Sequence, residues 1–253
     1  MRGIAVFEGK VVIVTGAGRG LGQQYARRFA ADGAAVVVAD VQRETATTTV
    51  AQLVSDGHAA EAIGVDVSDE ESTRELAART VERFGRIDIL INNAGIWGDY
   101  ERAPLAEMDM GYWDLVLAVN LKGPLLCSRA VLPAMREQRW GRIVNISSIG
   151  AHMVSGVYGV SKLALNQLTF ALAHEVGGEG ITVNALAPGT IDNEATQRQV
   201  PSAALRGLVD KNAVKRAGTG DDLYGMIRYL ASDDAEWVTG QTILVNGGFS
   251  SRF

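Results

Sequence analysis

The sequence predicts an α/β fold in which seven parallel strands form one doubly wound sheet with helices on both faces. Three observations carry that prediction. From Lys10 onward short β-branched runs alternate with longer stretches whose apolar residues recur at helical spacing, the pattern of repeated βα units. Runs such as Val36-Val37-Val38 and Ile87-Asp88-Ile89-Leu90-Ile91 are apolar almost throughout, which suits strands covered on both sides. Glycine is abundant, 29 in 253 residues, where an average near 7% would give roughly 18. With right-handed crossovers these features make a Rossmann-type sheet.

In chain order the strands are expected at 11–15, 34–39, 62–65, 87–92, 142–147, 182–187 and 242–245. Between them, helical spacing predicts helices at 20–32, 43–56, 69–84, 110–138 (as two helices), 157–178 and 221–231. No low-complexity linker, internal repeat or Pro/Ser-rich boundary interrupts the series, so residues 1–253 are read as a single domain. The weakest periodicity lies at 188–218, just beyond the sixth strand. In an open α/β sheet ligands sit outside the carboxyl ends of the strands, so this segment is placed to cover a site.

Composition excludes several functions. At 47% hydrophobic and 21% charged residues the chain is not disordered, and a net charge of −5 lacks the basic field that nucleic acid attracts. Cys127 is the only cysteine, so neither an internal disulfide nor a cysteine-rich metal site is expected, and no metal is assigned. The apolar patch within the first ten residues is too brief for a secretory signal, and the uncharged stretch 143–161 is too polar to span a bilayer. A cytoplasmic protein with no membrane partner is expected.

The first strand runs into Thr15-Gly16-Ala17-Gly18-Arg19-Gly20-Leu21-Gly22 and then a helix. Glycines at a strand-to-helix turn allow positive φ and bring backbone N–H groups against a diphosphate, whose charge the helix N-terminus favours. The spacing differs from G-x-G-x-x-G because Leu21 stands at the third glycine's place. Asp40 ends the second strand, where an acid can accept from both adenosine ribose hydroxyls and repel a 2′-phosphate, favouring NAD over NADP. Arg19 argues the other way, since a guanidinium could pair with that phosphate.

Tyr158 and Lys162 stand four apart at the start of a helix, which puts both on one face. Ser147-Ser148 end the fifth strand and Asn120 follows the fourth, all near the carboxyl edge. Carbonyl reduction builds negative charge on oxygen and needs a proton donor and a hydrogen bond aimed there. A phenol and a hydroxyl supply these, and an ammonium beside the phenol is expected to lower its pKa. Lys162 also has the reach for ribose hydroxyls, and Asn120 for a proton-relaying water.

With these residues in place the chain resembles the short-chain dehydrogenases/reductases, in their compact single-domain branch, over about residues 7–249. Thr15-Gly16-x-x-x-Gly20-x-Gly22 is similar to the family's cofactor turn, and Asp66-Val67 to its adenine-contacting pair. Asn92-Asn93-Ala94-Gly95 is similar to its motif after strand four, and Asn120, Ser148, Tyr158 and Lys162 to its catalytic tetrad. Pro188-Gly189 begins the nicotinamide-holding segment, and Arg216-x-Gly218 and Gly240-Gln241-Thr242 through Asn246-Gly247-Gly248 resemble its C-terminal signature. The resemblance implies NAD contacts at the glycine turn, including Arg19 and Leu21, at Asp40 and Val41, at Asp66 and Val67, and at Asn93, Ala94 and Gly95. It implies further contacts at Tyr158, Lys162, Pro188, Gly189, Thr190 and Ile191. It also implies a small-molecule alcohol or ketone substrate and a homotetramer, with helices 110–138 and 157–178 between subunits.

The chain departs from the family in places. The interval from Ser148 to Tyr158 is short, so Ser147 stays open as the catalytic hydroxyl. His152 and Met153 in that short loop, with Trp97 and Tyr100 after the fourth strand, are candidate substrate-pocket residues, and Asn193 stands where a threonine is common. Two alternatives accompany the leading reading of an NAD-dependent alcohol/ketone oxidoreductase. One is an NADPH-dependent 3-oxoacyl carrier-protein reductase, for which Arg19 and Arg102 are available and against which Asp40 counts. The other is a non-catalytic dinucleotide-binding protein.

Overall fold

The computed structural model describes residues 6–97, 104–200 and 202–249. Seven strands form one sheet: β1 Val11–Thr15, β2 Ala35–Asp40, β3 Ala60–Gly64, β4 Ile89–Asn92, β5 Gly141–Ile146, β6 Ile181–Pro188 and β7 Thr242–Val245. Their order is β3-β2-β1-β4-β5-β6-β7, and every pairing is parallel. The chain thus starts near the centre, winds out to β3, returns to β4 beside β1 and winds out to β7. That reversal between β1 and β4 opens a crevice at the carboxyl edge, where ligands of such sheets bind.

The helices are α1 Gly20–Ala31, α2 Arg43–Ser55, α3 Glu70–Phe84, α4 Met110–Leu117, α5 Gly123–Gln138, α6 Gly156–Val176, α7 Glu194–Gln199, α8 Ser202–Val209 and α9 Gly220–Leu230. One apolar layer joins α1, α2 and α9 to the sheet through Tyr25, Phe29, Leu53, Leu223 and Ile227. The other joins α3, α5 and α6 through Leu76, Cys127, Met135, Leu172 and Val176. Covering both faces explains why Val36, Val37 and Val38 are all fully buried although successive strand residues point to opposite sides. Burial pushes the Cys127 thiol up to about 12, so this residue acts as a small core hydrophobe.

Local chemistry sets the helix ends. Asp69 caps α3 by accepting from Ser72 N at 2.7 Å, and Gly85 ends it in the left-handed region at φ 76°. Thr219 and Asp222 form a reciprocal capping box at the start of α9.

The two helices expected at 110–138 are α4 and α5, and they are joined without a break by one π-helical turn, Ala118–Lys122. By length and composition Met110–Gln138 passes as a membrane span, but half of its most apolar window is buried, as in a core helix. Segment 188–218 is less irregular than its sequence, since it holds α7 and α8 and is strapped at its base by an Ile191–Gly218 bridge.

The amino edge of the sheet, opposite the crevice, is closed by charge. Asp88 is fully buried and accepts from Val11 N at 2.9 Å and from Arg86 through two bonds at 2.8 and 2.6 Å, with Lys10 at 3.6 Å. The Trp140 ring lies between Lys10 and Arg142, at 3.5 and 4.4 Å from its centroid. Asp88→Ala strands the Val11 N–H and leaves two partly exposed cations without their partner. It should cost about 2–4 kcal/mol, measured as a lower urea midpoint at unchanged m-value.

Candidate active site

Each glycine of the β1–α1 turn has its own physical reason. Gly16 has φ 63°, and a Cβ there would lie 2.8 Å from the Ala94 Cα. A Cβ on Gly22 would press on the Gly16 carbonyl and the Asn93 amide, and one on Gly18 on the Thr45 hydroxyl and, at 3.0 Å, on Asp40. Gly20 has nothing within 4 Å, so its φ of 61° is what excludes a side chain. The turn is anchored to the end of β4. Thr15 Oγ1 accepts from Asn93 N and Ala94 N at 3.0 and 3.1 Å, while Asn93 Nδ2 donates to the carbonyls of Thr15 and Gly16. A backbone surface without side chains at a helix N-terminus fits a diphosphate.

The Gly18 peptide is held from both ends. Its N–H donates to Asp40 Oδ2 at 2.9 Å, and its carbonyl accepts from Thr49 Oγ1 at 3.1 Å and, more weakly, from Gln23. The second Asp40 oxygen accepts from Gln42 N at 3.0 Å. Thr49 and Gln23 escape a motif search, and their signal is only a polar residue on the inward face of α2 and of α1. Arg19 is exposed at the N-cap position of α1, Leu21 packs on the core, and Val41 is 72% exposed at the end of β2. Asp66 is exposed and accepts from Ser68, whereas Val67 is buried against Gly123 of α5.

The expected tetrad gathers at the neighbouring carboxyl ends. Tyr158 is half-buried on the first turn of α6, its ring and Ser148 Oγ both close to Gly150, where a Cβ would lie 3.0 and 3.2 Å from them, and Lys162 lies one turn on, its Nζ 5.7 Å from the phenol ring centroid. Ser148 Oγ also accepts from Gly150 N at 2.9 Å. Ser147 is turned away: its hydroxyl donates to Asn166 Oδ1 at 2.6 Å, with the Lys162 carbonyl 3.3 Å away. Of the two adjacent serines, Ser148 alone reaches the phenol. Asn120 sits in the π-helical turn, fully buried, bonded through both amide ends to the Ile96 backbone and to Ser161. Gly95 leaves open the space beside it, since a Cβ there would lie 3.3 Å from Asn120 Oδ1 and 3.6 Å from Lys162 Nζ.

The electrostatics differ from the expectation that Lys162 lowers the phenol. Burial raises the Tyr158 hydroxyl above its ordinary value, opposed only by the Ser148 hydrogen bond. Lys162, 5% exposed, donates to the Ile146 carbonyl at 2.8 Å, and burial pushes its amine down to about 8. Loss of hydration acts on both groups and outweighs their mutual influence, which leaves the phenol protonated at neutral pH.

The remaining candidates form a rim. His152 ends a short 3-10 turn, Ile149–His152, half-buried, and Met153 after it is 43% exposed. Trp97 is half-buried just beyond Ile96, whereas Tyr100 and Arg102 lie outside the described residues. Pro188 ends β6, and Gly189 donates to the Val245 carbonyl where a Cβ would lie 2.7 Å from the Asn246 Cα. Thr190 accepts from Gly218 N, and Ile191 is buried in the bridge beside it. Asn193 is the N-cap of α7, accepting from Thr196 N at 2.8 Å, so its side chain is committed to the helix.

A dinucleotide turn beside a Tyr-Lys-Ser cluster defines a nicotinamide-dependent oxidoreductase, and comparison with known proteins agrees. Residues 16–250 match the family profile described as enoyl-(acyl carrier protein) reductase. An uncharacterized oxidoreductase of Mycobacterium tuberculosis is 44% identical, over 96% of this chain and 98% of its own. The (2S)-[(R)-hydroxy(phenyl)methyl]succinyl-CoA dehydrogenase subunit BbsD of Thauera aromatica is 38% identical, over 96% and 97%. A crystal structure from Agrobacterium tumefaciens, carrying a provisional gluconate dehydrogenase name, superposes with a TM-score of 0.91 at 31% identity over 99% of both chains. The chain belongs to the short-chain dehydrogenase/reductase family of oxidoreductases. That family binds nicotinamide dinucleotides and acts on small molecules.

Burying Lys162 has a sign that can be checked. Its folded pKa near 8 lies below the ordinary 10.5, so between these values the unfolded chain holds the extra proton and stability rises with pH. Below pH 8 the cost is felt in full. Lys162→Met should therefore be more stable than the parent at pH 7, by roughly 1–3 kcal/mol, with the gain shrinking as pH rises from 8 to about 10.5. Urea midpoints at pH 7 and pH 10 decide it; a variant less stable at pH 7 refutes the burial cost.

Proposed function

We propose that this protein interconverts a secondary alcohol and a ketone using NAD(H), as one domain. The observation that carries the reading is the grouping of Tyr158, Ser148 and buried Lys162, with the Tyr158 ring and Ser148 Oγ meeting at Gly150 and Lys162 Nζ 5.7 Å from the ring, set next to a glycine turn free of side chains. Bound nicotinamide dinucleotide supplies the hydride for reduction or accepts it in oxidation. The phenol of Tyr158, kept protonated by burial, gives its proton to the developing alkoxide, and Ser148 holds that oxygen. Lys162 places positive charge beside the phenol at neutral pH and restrains the phenolate left after proton transfer. Asn120 braces the Ile96 backbone at the cleft.

NAD is proposed over NADP because Asp40 presents a carboxylate at the end of β2, while Arg19 is exposed and makes no side-chain cap bond. The cofactor would lie along the glycine turn, Asp40 and Val41, Asp66 and Val67, Asn93 to Gly95, and Pro188 to Ile191. Trp97, His152 and Met153 are proposed to face the substrate. A homotetramer is supported by exposed Val160, Leu163 and Phe170 on α6 and by Trp237, 95% exposed close before edge strand β7. A cytoplasmic location accords with a lone, buried cysteine. A 36% identity over 95% of this chain with a 3-oxoacyl-[acyl-carrier-protein] reductase of Thermotoga maritima favours a second reading, an NADPH-dependent 3-oxoacyl carrier-protein reductase.

Steady-state turnover of a ketone panel with each cofactor separates the readings. The parent should prefer NADH, and Tyr158→Phe should lower kcat by about 10²–10⁴ while NADH affinity stays within about threefold. Full activity of Tyr158→Phe removes the assignment, and selective NADPH turnover of carrier-linked ketones favours the second reading. Asp40→Ala should narrow the cofactor preference and also weaken NADH by about tenfold, because the Gly18 N–H loses its acceptor. Unchanged NADH affinity in that variant would show that the Gly18 contact contributes nothing.

A further inference from the structure

We propose that Ser147 and Asn166 are a positioning pair that holds the Lys162 ammonium at the reacting centre, so that the two adjacent serines have separate tasks. The inference rests on the reading of the site just given and names residues which that reading does not use.

The end of β5 addresses one face of α6 residue by residue. Tyr158, Lys162 and Asn166 stand at successive spacings of four, hence on one stripe of the helix. Three consecutive residues of the chain meet that stripe: Ser148 lies beside Tyr158 at Gly150, the Ile146 carbonyl accepts from Lys162 Nζ, and the Ser147 hydroxyl donates to Asn166 Oδ1. Below them Asn145 Nδ2 donates to Thr169 Oγ1 at 2.9 Å, one strand period before Ser147 and three helix residues after Asn166.

The Ser147 bond touches Lys162 from two sides. Its hydroxyl proton goes to Asn166 Oδ1, one turn beyond Lys162, and its oxygen lies 3.3 Å from the Lys162 carbonyl, which ties that turn of the helix to the strand. Its N–H donates to the Leu186 carbonyl at 2.7 Å, which fixes the peptide linking Ser147 to Ile146, the peptide whose carbonyl receives Nζ. Ser147 is 3% exposed, so its hydroxyl is unavailable to a substrate and its bond to Asn166 is not shared with bulk water.

The need for such a restraint follows from how little else holds the ammonium. Groups facing Nζ are the Ile146 carbonyl, the Tyr158 ring and, across Gly95, the Asn120 amide. Among the described residues no carboxylate pairs with it, and burial pushes its amine down. A four-carbon stem in that setting would move toward water if α6 loosened by a fraction of a turn, and a shift of about 1 Å at a reacting group can cost two orders of magnitude in rate.

The test uses Ser147→Ala, Asn166→Ala, the double variant and Ser147→Thr, which keeps a hydroxyl. Readouts are kcat, the pH profile of kcat/KM, NADH affinity and the Lys162 titration followed by NMR of ¹³Cε-labelled lysine, with Lys162→Arg assigning the signal among five lysines. Each single alanine should lower kcat about 10- to 100-fold with NADH affinity within about threefold. The double should be no worse than either single, and Ser147→Thr should recover most of the loss. The Lys162 midpoint should rise from near 8 toward the ordinary lysine value in both alanine variants. Asn166 is half-buried, so its variant serves if Ser147→Ala does not fold.

A merely structural pair would lower thermal stability and leave kcat of the folded enzyme, the pH profile and the Lys162 midpoint unchanged; that result overturns the proposal. Failure of the underlying reading looks different, because Tyr158→Phe would then retain turnover. The lysine titration does not need turnover, so an unshifted midpoint sinks the positioning role even there.

Discussion

A seam of polar contacts joins the carboxyl end of β5 to α6, and the rest of the site depends on it. Asn145 reaches Thr169, Ser147 reaches Asn166, the Ile146 carbonyl receives Lys162 and Ser148 reaches Tyr158. A helix laid on a sheet by apolar packing alone is free to slide by a fraction of a turn, because alkyl contacts have no direction. Hydrogen bonds between buried groups do have direction, and breaking one leaves a desolvated donor or acceptor at about 1–3 kcal/mol. The seam also extends through the sheet, since Asn92 of β4 donates to Asn145 and lies at 3.4 Å from Ser128 of α5. One belt of buried polar side chains therefore relates α5 to α6 through two central strands.

The two edges of the sheet use charge in opposite ways. At the amino edge Asp88 is compensated by Arg86, Lys10 and a backbone N–H, which makes a stable closed end. At the carboxyl edge Lys162 is buried against one carbonyl with no opposing carboxylate among the described residues. Stability favours the first arrangement and the proposed chemistry the second, because a carboxylate beside Lys162 would offset the positive charge that restrains the Tyr158 phenolate after proton transfer.

Much of this was legible in the sequence, and the parts that were not share physical causes. Strand runs such as Val11 to Thr15 and the Tyr158–Lys162 spacing are periodic signals, and periodicity survives without a structure. The continuous passage through Ala118–Lys122 was not legible, since one wider turn barely disturbs an amphipathic pattern while it rotates everything beyond it. Helices of six and eight residues in 188–218 are too short for a period to register. The direction of the Tyr158 shift was misjudged because proximity to an ammonium can be counted from spacing, whereas desolvation depends on everything packed around the pair. Ser147 and Ser148 are indistinguishable as letters and differ only in where a strand end directs them.

Asp40 shows why selectivity and binding are not separable here. A carboxylate at the second strand's end reads, in isolation, as a filter against a 2′-phosphate. In the folded chain one of its oxygens already accepts from the Gly18 N–H and the other from Gln42 N, while Thr49 and Gln23 hold the Gly18 carbonyl. The acid is thus part of the frame that shapes the phosphate turn, and a side chain on Gly18 would collide with it. With the cofactor placed as proposed, exchanging it for a neutral residue would remove a repulsion at the ribose and a restraint on the Gly18 peptide together. On that proposal, relaxing the cofactor choice of this chain would also call for a second acceptor for the Gly18 N–H, placed where it does not meet the added phosphate.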